Sequence, residues 1–176
     1  MKSERFFNTI SASLEDYSDL EPLAKVVSEA ADFYEKVCEE FTNNHSLLSG
    51  ELNQLILENP GLQLFYGAIH IDAQQVRKWL EQVDDNLAAK SYTWYLSDEG
   101  RAEYGKISTT DINNYVKADD GIQLIRDMIR LISHSQHQLE EIVGVIQQRG
   151  FTLNKIADMR IKGLDEVWLE PPKKVT

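Results

Sequence analysis

Apolar residues in the last third of the chain recur every seven positions, at Ile125, Ile132, Leu139 and Ile146, with Met128, Ile129, Ile142 and Val143 filling a second stripe. Two apolar positions in seven is the pattern of a seam between long helices, so Gly121 to Gln148 predicts a long helix with one apolar edge. One layer departs from it. Ser135 and Gln136 stand where the second stripe should be apolar, and a buried polar layer costs stability while fixing register or the number of partners. The seam reads first as an association surface between copies of the chain, although a core helix of a single-chain bundle would carry the same pattern. At Arg149-Gly150 the pattern is interrupted, which predicts a stop there and a short basic helix from Phe151 to Lys162.

Earlier segments supply the remaining helices. Phe6, Phe7, Ile10, Leu14 and Tyr17 repeat at three and four, predicting a short amphipathic helix before the acidic turn Asp16 to Glu21. Pro22 suits the first turn of a second helix, with Asp19 as a cap and Leu23, Val26, Ala30, Phe33, Val37 and Phe41 as its buried stripe. Ser46 to Leu57 predicts a third helix, with Leu48, Leu52, Leu55 and Ile56 inward, stopped by Asn59-Pro60-Gly61. Leu62 to Ile71 is short and nearly all apolar, and its neighbours favour helix over strand. From Asp72, a candidate cap, to Leu96 a second seam runs through Val76, Leu80, Val83, Leu87, Lys90 and Trp94. Asp98-Glu99-Gly100 breaks that helix, and a polar connection or short helices follow, one of them capped by Thr110 or Asp111 and running through Val116. The tail from Glu170, with two prolines, reads as extended, and Trp168 and Leu169 before it are apolar enough to dock.

The chain of 176 residues is 42% hydrophobic, enough for one sizeable core. Its single cysteine, Cys38, excludes an internal disulfide and a cysteine-built zinc site, and its place on an apolar helix side makes it core rather than nucleophile. No signal peptide and no apolar run of membrane-spanning length stands out. The net charge of −11 is uneven: Gly121 to Thr176 holds eight Lys and Arg against seven Asp and Glu, or +1, so the first 120 residues carry −12. Such a chain can grip nucleic acid only through a local basic patch, because phosphate contacts supply most of the non-specific affinity. A modest patch repeated around an oligomer would suffice.

Three constellations bear on chemistry. His134, His137 and Glu141 share one helical face and are metal-ligand types, but no second cluster completes a site, and a solvated surface explains them better. Glu35, Glu39 and Glu40 lack a facing carboxylate pair that would hold magnesium. Neither a phosphate-binding glycine loop nor a nucleophile elbow is present, so no cofactor, metal or catalytic residue is expected and the chain reads as a non-enzyme. The third is a strand-binding surface. Lys90 lies beside Tyr92, Trp94 and Tyr95, followed by Arg101, Tyr104 and Lys106. Aromatic rings stack on unpaired bases while Lys and Arg follow phosphates. The competing reading puts Trp94 in the core with Tyr92 and Tyr95 along its edges.

Gln147 to Arg160, written QQRGFTLNKIADMR, resembles the carboxyl end of the UvsY recombination mediator family of tailed phages, where a long helix ends in a similar Arg-Gly-Phe step before a short helix. Asp111 to Ile122 is similar to the family's segment ahead of its last long helix, and Tyr92 to Ser97 to a Tyr-Tyr element closing the earlier one. The resemblance spans Asp72 to Lys162. It implies a non-enzymatic, all-helical protein in a ring-like homo-oligomer such as a heptamer, with no membrane attachment, acting in the cytoplasm of the infected host cell. It further implies binding to single-stranded DNA and help to a RecA-like recombinase against a single-strand-binding protein. Basic residues ahead of the Tyr-Tyr element contact DNA in the family; at Ala88-Ala89-Lys90-Ser91 this chain retains Lys90 alone.

The expected fold is therefore all-α, an elongated helical hairpin or bundle with two long heptad-patterned helices and additional N-terminal helices. Its expected divisions are an acidic helical region (1–60), a mediator-like assembly and binding region (61–162) and a flexible tail (163–176). DNA contact is expected at Lys90, Tyr92, Tyr95, Arg101 and Lys106, and assembly through Ile125, Ile132, Leu139, Val143, Ile146, Arg149 and Phe151. The rival expectation is an acidic adaptor or structural protein that binds a protein partner and not DNA.

Overall fold

A computed structural model describes residues 6–13, 19–43 and 51–162. The expectations for Leu14, Tyr17, Leu48, Trp168, Leu169 and the tail lie outside them. Six helices follow in order: α1 Phe6–Ser13, α2 Glu21–Asn43, α3 Leu52–Leu96, α4 Asp98–Tyr104, α5 Thr109–Ala118 and α6 Asp120–Ile161. The fold is all-α, as expected.

The two long helices, α3 and α6, form an antiparallel hairpin. Asn59 near the start of α3 meets Ile146 late in α6, and Asp84 further along α3 pairs with Arg126 early in α6 at 3.2 Å. The seam between them holds Tyr66, Ile69, Ala73, Val76, Leu80 and Val83 of α3 with Ile125, Ile132, Leu139 and Ile146 of α6, all buried. On α2, Leu23, Val27, Ala30, Ala31, Tyr34, Val37 and Cys38 are buried in the same core. Val26, Phe33 and Phe41, expected in the middle of that stripe, are half-buried at its edge. Pro22 sits in the first turn of α2, and Asp19 accepts from the Glu21 backbone at 3.1 Å, as the sequence predicts. Ser135 and Gln136 are buried inside the chain, so the polar layer is real.

Two predicted helix breaks are absent. α3 runs through Asn59-Pro60-Gly61, and α6 runs through Arg149-Gly150 into what was expected as a separate short helix. A proline inside a helix deletes one backbone bond and crowds the preceding turn, costing about 3 kcal/mol. Packing outweighs that here because the two interruptions face each other. Asn59 is buried, and its side-chain amide donates to the Ile146 carbonyl at 3.4 Å. A Cβ on Gly150 would lie 2.8 Å from the Asn59 amide nitrogen. Glycine is there to admit Asn59, not to turn the chain.

Asp72 likewise has another use. It stands in the middle of α3, buried, rather than capping a helix that begins there. Its carboxylate accepts from the Phe6 and Phe7 backbone N–H groups at 2.9 and 3.3 Å and from the Tyr34 hydroxyl at 2.8 Å. Asp72 thereby caps α1, whose first N–H groups have no partner within their own helix. Burial, reinforced by the neighbouring Asp72 carboxylate, holds the Tyr34 hydroxyl protonated far above its ordinary range. Burial also pushes the Cys38 thiol up to about 11, with Glu35 contributing, which agrees with a core cysteine.

Asp72→Ala should lower stability by about 3 kcal/mol, since one buried and two half-buried donors lose their acceptor; the denaturant midpoint measures it. Gly144 and Gly150 of α6 should respond in opposite directions. A Cβ at Gly144 meets nothing within 4 Å, so Gly144→Ala should stabilise by up to about 1 kcal/mol through helix propensity. Gly150→Ala should instead cost about 1–2 kcal/mol by displacing Asn59, read from the same unfolding curves.

Candidate nucleic-acid interface

The closed end of the hairpin, where α3 gives way to α4 and α5, is built by three caps and two glycines. Ser97 ends α3 and caps α4: its hydroxyl accepts from the Gly100 backbone at 3.2 Å and donates to the Trp94 carbonyl at 2.6 Å. Gly100 is buried, and a Cβ there would run into the Trp94 carbonyl oxygen and stand 2.9 Å from the Tyr95 Cα. The absence of a side chain lets α4 fold back onto the end of α3. Gly105, at φ 74°, then terminates α4 in a conformation that favours glycine.

Ser108, not Thr110 or Asp111, caps α5. Its hydroxyl accepts from the Asp111 N–H at 3.2 Å and donates to the Asp111 carboxylate at 2.6 Å, so the two side chains are tied together across the first turn. The expectation placed the cap too late because Asp111 is the residue that the Ser108 cap binds. Asp119 caps α6, accepting from Ile122 at 3.1 Å. A small second core of Ile112, Val116 and Ile122, with Leu87, Ala88, Tyr92, Tyr95 and Ile107 against it, fixes α5 to the hairpin.

These joints bring four rings from three helices together. Trp94 lies edge-on to Tyr95 and to Tyr104, with centroids 5.0 and 6.0 Å apart. Tyr95 stacks on Tyr115 at 5.6 Å with an interplanar angle of 25°, and Tyr104 approaches Tyr95 and Tyr115 at 5.5 and 5.7 Å. Trp94, Tyr104 and Tyr115 nevertheless remain 38%, 46% and 44% exposed. Rings that touch one another yet stay more than a third exposed form a platform rather than a core.

Lys90, Arg101 and Lys106 are exposed around this end, and Lys90 lines a shallow cleft of ≈ 450 Å³ with Trp94, Tyr95 and Asp119. Tyr92 is half-buried on the second core, and Tyr95 is half-buried within the platform. The Tyr95 hydroxyl is held above its ordinary pKa, first by burial and then by Tyr104 and Asp119, so it remains a neutral donor. Exposed Asp98, Glu99, Glu103 and Asp111 accompany the cations. Stacking rather than charge is therefore the stronger resource of this surface.

Sequence reasoning placed Trp94 in the seam, whereas it is on the platform, and it did not single out Tyr115. Tyr115 lies in a different helix, and only the Ser108 cap and the Ile112–Val116 contacts turn it toward Tyr95. The seven residues expected to join copies are divided. Ile125, Ile132, Leu139 and Ile146 are fully enclosed by this chain's own helices, Val143 and Arg149 are half-buried, and Phe151 is 77% exposed. On the His134 face, His137 lies 3.9 Å from Glu140 and 3.5 Å from Glu141, all exposed. Among the described residues no group of three His, Cys, Asp or Glu side chains could hold a metal ion. Nor is any described helix long and apolar enough to cross a membrane.

An all-α hairpin with a solvent-facing ring platform and flanking cations at its closed end has the make-up of a helical binding protein. The family model described as "Recombination, repair and ssDNA binding protein UvsY" matches residues 40–162, and the chain belongs to that family. The matched segment contains α3 to α6 and the end of α2, while α1 and most of α2 precede it. No curated protein and no solved structure matches the chain.

Gly100→Ala should disperse the platform without unfolding the long helices. The expected result is loss of near-ultraviolet circular dichroism from the coupled rings, with far-ultraviolet helicity unchanged.

Proposed function

We propose that this protein is a recombination mediator. It binds single-stranded DNA and assists loading of a RecA-like recombinase onto strands held by a single-strand-binding protein, in the cytoplasm of the infected host cell. One observation carries the reading: Trp94, Tyr95, Tyr104 and Tyr115 are linked ring to ring at 5.0–6.0 Å, three of them exposed, inside the family-matched segment. Unpaired bases present flat faces that such rings accept whatever the sequence. Lys90, Arg101 and Lys106 follow the phosphates, and Tyr92 and Tyr95 hold the platform against the second core.

Each chain offers few cations and much negative charge, so a usable grip requires several copies on one strand. The protein acts as a homo-oligomer, a closed ring such as a heptamer. Residues 61–162 carry assembly and binding, and helices α1 and α2 of the acidic 1–60 region cover the α3/α6 seam. Because that cover encloses Ile125, Ile132, Leu139 and Ile146, they hold each subunit's shape. Val143, Arg149 and Phe151 remain available to neighbours.

A salt titration of a labelled oligonucleotide tests the reading. Binding should weaken with salt, and Arg101→Ala or Lys106→Ala should each flatten the log–log slope by about 0.7, one lost phosphate contact on a single strand. Tyr104→Ala and Tyr115→Ala should each cost about 1–3 kcal/mol of affinity with the slope unchanged. No salt-sensitive binding at low ionic strength would favour an acidic adaptor for protein partners instead.

A further inference from the structure

At the open end of the hairpin, where Pro60 and Gly150 face each other, the two long helices border a cleft of ≈ 480 Å³. That size suits a small ring rather than a protein surface. Four carboxamides line it, Asn59 and Gln63 from α3 and Gln147 and Asn154 from α6. Among the described residues no side chain lining it is charged, so nothing in it answers a phosphate or an ammonium group.

Two of its groups are acceptors in need of a donor. The Asn59 amide nitrogen is committed to the Ile146 carbonyl at 3.4 Å, which fixes the side chain; its oxygen accepts from nothing among the described residues, although Asn59 is only 6% exposed. A buried polar atom left this way costs free energy that a ligand's donor recovers. Ile56 also lines the cleft, and its carbonyl lacks the usual helical donor because residue 60 is proline. Gln63, Gln147 and Asn154 are exposed and offer N–H groups within the same cleft. Phe151, 77% exposed, supplies an apolar face on the α6 wall, and Pro60 one on the α3 wall.

A matching ligand is flat and uncharged and carries an amine donor next to a bare acceptor nitrogen. Adenine has that edge: carboxamides pair with its amine and ring nitrogen while an aromatic face stacks on the ring. Thymine lacks the amine. A peptide backbone offers N–H donors too, but not the ring that an exposed Phe151 accepts. We propose that this cleft holds a nucleobase with an exocyclic amine, adenine above all. It is a separate site from the platform, since Asn59 stands about 50 Å from Trp94 along α3.

An adenine base reaches the cleft from a strand or as a free nucleoside, and a magnetic-resonance titration with adenosine and purine riboside tests both sources. A free nucleoside fills one site on one chain, so its affinity does not depend on how many copies assemble. Adenosine should bind about fivefold more tightly than purine riboside, which lacks only the amine. Phe151→Ala should weaken adenosine about tenfold, the loss of one stack, with helicity unchanged by circular dichroism. Tyr104→Ala, on the platform, should leave the amine preference intact. An adenine oligonucleotide that displaces adenosine, where a thymine one does not, identifies the strand as the source; adenosine that stays bound beside either strand identifies the free nucleoside. Displacement by both strands alike, absence of adenosine binding, equal affinities for the two nucleosides, or indifference of adenosine to Phe151→Ala would each overturn the assignment, the last three leaving the cleft to a peptide of a protein partner. Salt-sensitive binding of the thymine strand at the platform is untouched by these results, so the two readings fail separately.

Discussion

The contact of Asn59 with Gly150 is the constraint on which the hairpin depends. Each residue belongs to a stretch that should end a helix, and each helix continues because the other is opposite. Asn59 donates to the backbone of α6, and Gly150 leaves the space its side chain occupies. With both rods unbroken, their apolar edges stay in register from this contact to the Asp84–Arg126 pair near the far end. That length of seam gives α2 a surface to bury against and carries α4 and α5 at the closed end.

The hairpin was legible in the sequence because a seven-residue apolar repeat has few other solutions. The α6 seam, the α3 seam from Val76 to Leu87 though not its expected continuation to Lys90 and Trp94, the Pro22 start of α2, the buried Cys38 and the buried Ser135–Gln136 layer follow from pattern alone. What misled were single residues whose meaning is set across the fold. Pro60 and Gly150 are breakers by local propensity, and their cost is offset by packing that no local window contains. Asp72 has a cap's chemistry, but the helix it caps begins at Phe6, 66 positions away along the chain. Ser108 and Asp111 are separated by two threonines, which disguised which of the four residues caps α5.

The candidate interface divides the same way. Lys90, Arg101 and Lys106 could be picked out as cations beside aromatic residues, and all three are on the surface at the closed end. Tyr115 could not, because its neighbours in space come from α3 and α4 and depend on Gly100 allowing a close approach. Charge is the weaker part of this surface, with carboxylates interleaved among the cations. The family to which the chain belongs binds single-stranded DNA. Stacked rings are a means of doing so that tolerates an acidic chain. The added α1–α2 layer, tied down by Asp72, then has a structural consequence: a seam that could have joined copies is closed within one.

The continuity of α6 through Gly150 is measured most directly by a distance between spin labels at Glu140→Cys and Asp158→Cys, in a Cys38→Ala background diluted with unlabelled chain. A single unbroken helix separates those backbone sites by about 27 Å, with a narrow distribution. A shorter, broad distribution, as a hinge at Arg149-Gly150 would produce, contradicts the account.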